Sequence, residues 1–182
     1  FAHLNYAGQG NTTMNNASEQ SESGSSDVDT YSLEQVMIKA CFQGRNDVVR
    51  ASLDAGADVN AQADYDGQIG EGDTTALTVA VAEGHVEIVR TLLSVPGIDV
   101  NKKGFGGMPA LVIAVMKGYF DIVEMLLNVQ NIDVNILDNN GMSALAWSVR
   151  LQRDDCVGAL LSADGIDINM PYERDSTPLM LL

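Results

Sequence analysis

Leu77, Leu111, Leu145 and Leu179 stand 34 residues apart, and similar residues recur around each of them at that interval. A chain that repeats itself at such a period folds as stacked copies of one small unit, because no single copy can bury its apolar face alone. Thr75-Ala76-Leu77, Pro109-Ala110-Leu111, Ser143-Ala144-Leu145 and Thr177-Pro178-Leu179 each open a short segment with apolar residues at helical spacing, as in Leu77, Ala80 and Val81. A break at Gly84, Gly118 or Gln152 separates it from a second helix. There Val86, Val89, Leu92 and Leu93 share one side, with Phe120, Val123, Leu126 and Leu127 as counterparts one period later. That helix is expected to end at a left-handed residue, Gly97, Asn131 or Gly165. Ile98-Asp99-Val100-Asn101, Ile132-Asp133-Val134-Asn135 and Ile166-Asp167-Ile168-Asn169 follow, and each leads into a polar loop.

The unit resembles the ankyrin repeat, whose pattern runs Thr-Pro-Leu-His-x-Ala, Gly-His-x-Glu-Ile-Val and Gly-Ala-Asp-Val-Asn. Gly84-His85-Val86-Glu87-Ile88-Val89 and Gly56-Ala57-Asp58-Val59-Asn60 carry the resemblance almost residue for residue, and it spans about residues 32 to 182. It implies an all-α solenoid of helix-turn-helix units joined by short β-hairpin-like loops. The units fall at about 32–72, 73–106, 107–140 and 141–174, with the start of a fifth at 175–182, and residues 1–31 form an acidic Ser- and Asn-rich tail. Three units carry one residue more than the usual pattern, between the second helix and the Ile-Asp-Val-Asn segment. The fourth departs furthest, with Gln152 for the turn glycine and Asp154 where Val86 and Phe120 stand, so its turn is expected to be looser.

The first unit has Lys39 where later units hold Val79, Ile113, Trp147 and Leu181 facing the preceding repeat. A charge there is tolerable only if nothing stacks on it, so this unit is expected to cap the array, with Ser32 and Gln35 as a capping box. The apolar residues Leu179 to Leu182 suggest that further repeats follow.

Composition removes several functions. Lys plus Arg number 10 against 25 Asp plus Glu, and the net charge of -15 repels nucleic acid and anionic lipid. The longest nearly apolar run, Met108 to Met116, includes Pro109 and is far short of the roughly 20 residues that span a bilayer. Two cysteines, Cys41 and Cys156, cannot build a disulfide framework, which points to an intracellular and most simply cytoplasmic protein.

No catalytic constellation emerges, and neither a metal nor a cofactor is expected. His85 belongs to the Gly-His turn, where it braces the loop, and both cysteines fall on apolar helical faces. Gly104-Phe105-Gly106-Gly107 has no strand before it, so it reads as a hairpin tip rather than a phosphate loop. The loop at 61–74 holds Asp64, Asp66, Glu71 and Asp73, but Ile69 and Thr75 stand where a calcium loop starting at Asp64 needs Gly and Glu. An acidic finger that meets a basic feature of a partner is the better reading.

The resemblance implies protein recognition through the hairpin tips and the exposed side of the first helices, which line a concave face. Carried over position by position, the candidates are Phe42 and Gln43, then Glu71, Thr74, Ala82 and Glu83, and then Phe105, Met108, Met116 and Lys117. The fourth unit adds Asn139, Asn140, Met142, Arg150 and Leu151, and the fifth Glu173, Arg174 and Ser176. Phe42, Phe105, Met108, Met116, Met142 and Leu151 are apolar where charge is expected, which suggests an adhesive stripe. Asn60, Asn101, Asn135 and Asn169 are expected to tie the hairpins. The partner is a protein of unknown identity, bound by a monomeric array within a longer chain. The alternative is a regulatory or substrate-recruiting arm of a larger protein with a catalytic or channel domain elsewhere.

Overall fold

Hydroxyl side chains cap the first helices of the first, second and fourth units. Ser32 accepts from the Gln35 N–H at 3.2 Å while the Gln35 side chain takes the Ser32 N–H, closing the expected capping box. Thr75 and Thr78 close a second box in the same way, and Ser143 accepts from the Ala146 N–H at 3.2 Å. Each such cap is worth about 1 kcal/mol, because it satisfies an N–H the helix itself leaves unpaired.

The computed structural model describes residues 31–63 and 74–170, without the side chain of Phe105. The acidic tail, the residues Asp64 to Asp73 and the opening of the fifth unit lie outside them. Four helix pairs follow one another: α1 (Leu33–Phe42) and α2 (Asn46–Asp54), α3 (Ala76–Ala82) and α4 (Val86–Leu93), α5 (Ala110–Lys117) and α6 (Phe120–Leu127), α7 (Ala144–Arg150) and α8 (Asp154–Leu161). First helices pack in the row α1, α3, α5, α7 and second helices in the row α2, α4, α6, α8. Between the rows runs one continuous core, with Met37, Ile38, Leu77, Ile88, Leu92, Leu111, Ile122, Leu126, Leu145 and Leu160 essentially inaccessible to water. Each such side chain contributes about 1.5–3 kcal/mol by leaving water. The expected hairpin character reduces, among the described residues, to two isolated antiparallel bridges, Gln62 with Thr75 and Leu137 with Ser143.

The turn between paired helices is the same in every unit. Arg45, His85, Tyr119 and Arg153 each donate a backbone N–H to Ala40, Ala80, Ala114 and Ser148, at 2.9, 2.9, 3.0 and 2.8 Å. The fourth turn is therefore not looser, contrary to expectation: Gln152 adopts the left-handed φ of 55° itself and keeps the hydrogen bond. Glycine in the other turns answers a second demand. A Cβ on Gly84 would sit 2.9 Å from the Tyr119 ring, and His85 and Arg153 lie as close over Gly44 and Gly118. His85 thus braces the preceding turn as expected, its Nε2 also 3.4 Å from the Phe42 carbonyl.

The second helices end differently from expectation. Ser94, Asn128 and Ser162 close them in right-handed conformation, and the extra residue of these units builds a further turn, closed by Ile98 to Val95, Ile132 to Val129 and Ile166 to Ala163. Gly97 and Gly165 are left-handed within that turn, but Asn131 is not. A turn of this length also closes with a negative φ at its third position, so no glycine is required there. The first unit lacks the extra residue and finishes directly on left-handed Gly56, with Ala57 donating to Ser52.

The asparagines do more than close their own loops. Asn60 donates to the Gly97 carbonyl and accepts from the Asp99 N–H, at 2.8 and 2.7 Å. Asn101 makes the same pair with Asn131 and Asp133, and Asn135 with Gly165 and Asp167. Both ends of each amide are used, so successive loops are held in register by a ladder of side chains. Lys39, half-buried, carries its ammonium 5.1 Å from the centre of the Tyr31 ring, a cation–π contact that softens the burial of its stem.

Candidate functional site

Equivalent positions on successive first helices hold Phe42, Ala82, Met116 and Arg150. A methyl group between a phenyl ring and a thioether leaves a notch. The structure has one there, a groove of about 300 Å³ across α1, α3 and α5. Ala82, Val79 and Ile113 line it together with Phe42 and Met116, Thr74, Thr78 and Met108 lie toward the hairpin tips, and Glu83 and Lys117 are at its margin. The two exposed charges lie where α3 and α5 end.

Of the residues expected from the sequence, Phe42, Thr74, Ala82, Glu83, Met108, Met116 and Lys117 meet in this groove. Phe42 is 43% exposed, while Met108 and Met116 are half-buried against the core. Gln43, Asn139, Asn140, Arg150 and Leu151 do not line it. Glu71, Glu173, Arg174, Ser176 and the side chain of Phe105 lie outside the described residues. The expectation of a continuous apolar stripe fails at Met142, which is core at 3% exposure and packs with Ala146 and Trp147. Thr74, at 8%, shows the groove little beyond its edge, since its carbonyl is taken by the Ala63 N–H.

Asp138 was not among the expected residues, yet it organises the fourth tip. It is 4% exposed, and its Oδ1 accepts from the Asn140 and Met142 N–H groups at 2.8 and 2.9 Å, while Oδ2 accepts from the Trp147 indole at 2.9 Å. Burial raises its pKa, but the bonds from Met142, Trp147 and Asn140 outweigh that and hold the carboxyl below its usual value. Arg150 lies 5.5 Å over the Trp147 ring. Thr78, Val79 and Ile113 were missed as well. The available signal was Thr78 where the repeat pattern has histidine: the shorter side chain sits directly against Gly104 of the third tip.

Among the described residues neither cysteine is set up as a nucleophile. Cys41 is buried and its thiol is pushed up to about 12 by desolvation, and Cys156 is raised for the same leading reason. Among the described residues no group of three or more His, Cys, Asp or Glu is placed to hold a metal ion, and no helix is long and apolar enough to cross a membrane.

Two family models match the chain, one for ankyrin repeats in three copies over residues 102–172 and one for ankyrin repeats in many copies over residues 37–93. The chain belongs to the ankyrin repeat family. Such repeats generally serve as protein–protein interaction modules and are typically non-catalytic. No curated protein matches the chain.

Proposed function

We propose that this protein is a non-catalytic recognition module, cytoplasmic and acting as a monomer, that seats part of a partner protein in the groove across α1, α3 and α5. The observation that carries the reading is convergence: residues from three successive units form one apolar depression with Glu83 and Lys117 at its margin, on helices packed against the core behind them. A preformed site of this kind loses little conformational entropy on binding, and adaptable methionines accommodate the side chain that enters.

The test is to fill the notch. Ala82→Trp places an indole in the groove from a lining residue at the last position of α3. Protein captured from native lysate by the parent chain should be lost with this variant, while thermal melts of the two by circular dichroism agree within a few degrees. Equal capture by both would remove the groove from the function.

A further inference from the structure

We infer that Asn140 is a deamidation site that Asp138 keeps closed: the Gly141 nitrogen reaches the Asn140 side chain when the fourth tip opens, and the carboxylate that forms holds the tip open thereafter.

Asn140-Gly141 is the one Asn-Gly pair in the chain, and it stands exposed at the fourth hairpin tip. Glycine after asparagine puts no side chain in the way of the backbone nitrogen, which gives up its proton to hydroxide and attacks Cγ of the asparagine. The new C–N bond closes a succinimide ring, and the side-chain nitrogen leaves as ammonia. Water then opens the ring at one carbonyl or the other, leaving aspartate or isoaspartate at position 140. The other hairpin asparagines are shielded from this. Asn101 and Asn135 spend both ends of the amide on the next loop and precede Lys102 and Ile136. Asn139 precedes Asn140, and its amide lies against Gly107 of the third tip.

In the closed tip the backbone on both sides of the reacting pair is held. Asn140 and Met142 donate their N–H groups to Asp138 Oδ1 at 2.8 and 2.9 Å, and Gly141 donates to the Asp138 carbonyl at 3.1 Å. Ring closure has to draw the Gly141 nitrogen to the Asn140 side chain, which breaks this last bond and needs a local opening that Asp138 opposes. The Asn140 side-chain amide also bonds the Asp138 carboxylate. Deamidation replaces that donor by a second negative charge beside the first. In isoaspartate the main chain runs through the side-chain carbon as well, and the added backbone atom takes Gly141 and Met142 out of register with Asp138. Either product loosens the carboxylate that anchors the Trp147 indole at 2.9 Å.

The full chain is aged in mildly alkaline buffer below its unfolding midpoint, digested at acid pH and mapped by fragmentation mass spectrometry, with enzymatic methylation to count isoaspartate. Among the hairpin asparagines, deamidation should be confined to Asn140. It should run at least about ten-fold slower than in a synthetic peptide of residues 136–144, ten-fold being what one hydrogen bond to a charged acceptor is worth. Asp138→Ala should remove most of that difference, whereas Leu92→Ala, which weakens the core of the second unit, should not. Asn140→Asp should shift Trp147 fluorescence in the same direction as Asp138→Ala, with the helical circular dichroism unchanged. The inference is overturned by a parent chain that reacts as fast as the peptide, by equal reaction at Asn139, by equal acceleration in Leu92→Ala, or by Asn140→Asp with the parent's fluorescence. The comparison of parent with peptide decides even where Asp138→Ala does not fold.

Discussion

The third and fourth hairpin tips share their closing hydrogen bonds but not their backbone, which is left-handed at Gly106 and not at the equivalent Asn140, and they differ in how they are held. Gly104 donates to the Met108 carbonyl at 3.0 Å, as Asp138 does to Met142 at 2.9 Å, and left-handed Gly107 and Gly141 close the inner turns at 2.8 and 3.1 Å. In the fourth tip a carboxylate fills the loop, draws the Trp147 indole inward and buries Met142. The third tip has no such side chain: a Cβ on Gly104 would overlap Thr78. Met108 is then left half-buried at the margin of the groove, and Ile113, at the position of Trp147, is part of its wall. The same closing hydrogen bonds are thus reached by a satisfied buried charge or by removing the side chain altogether. Only the second way leaves space beside it for something else.

The comparison breaks most severely if the third tip is made to imitate the fourth. Gly104→Asp forces a side chain into Thr78 and buries a carboxylate with no indole to meet it, and should cost about 3–5 kcal/mol from overpacking and an incompletely paired charge. Urea denaturation measures this. Adding Ile113→Trp and Thr78→Ala should return part of the loss as a coupling energy, and strict additivity would mean that the two tips are not alternatives of one design.

Emptying the fourth tip comes next in size. Asp138→Ala leaves two backbone N–H groups and the indole without their acceptor, at a cost of about 3 kcal/mol, and Trp147 fluorescence should shift as the ring loses its anchor. An unchanged unfolding midpoint would show that the network shapes the tip without stabilising it.

The smallest effect is the dependence on pH. Because the folded state holds the Asp138 carboxyl below its usual value, its contribution is fully present above the ordinary carboxylate range and is lost as pH falls through the folded value. Between about pH 6 and about pH 3, Asp138→Asn should show a shallower loss of stability than the parent, measured by thermal melts across that window. Parallel curves would place the acid sensitivity in other carboxylates.

Much of this was open to inspection in the residues. The recurrence of Leu77, Leu111 and Leu145, with hydroxyl caps just ahead of two of them, is local information, and the helices begin where it says. Gln152 and Asn131 were misread because conformation was inferred from residue type alone. Gln152 accepts a left-handed φ because the hydrogen bond from Arg153 to Ser148 is retained there. Asn131 needs none, because its turn closes without it. The groove was half legible: Phe42, Met108, Met116 and Lys117 were flagged by their position in the unit, whereas Met142, at the same position as Met108, went into the core.

The repeat period, the caps and the apolar faces determine the fold from the sequence alone, since they act over one or two turns of chain and are written again in every unit. Which equivalent residues face water and which are buried was decided only in the tertiary structure. Met108 and Met142 are the same residue in the same unit position, and what separates their fates is a glycine or an aspartate four residues earlier, the glycine lying against Thr78 of α3 and the aspartate bonding Trp147 of α7. Thr78 over Gly104 and Trp147 over Asp138 are contacts between segments, and a side chain's exposure is the sum of such contacts.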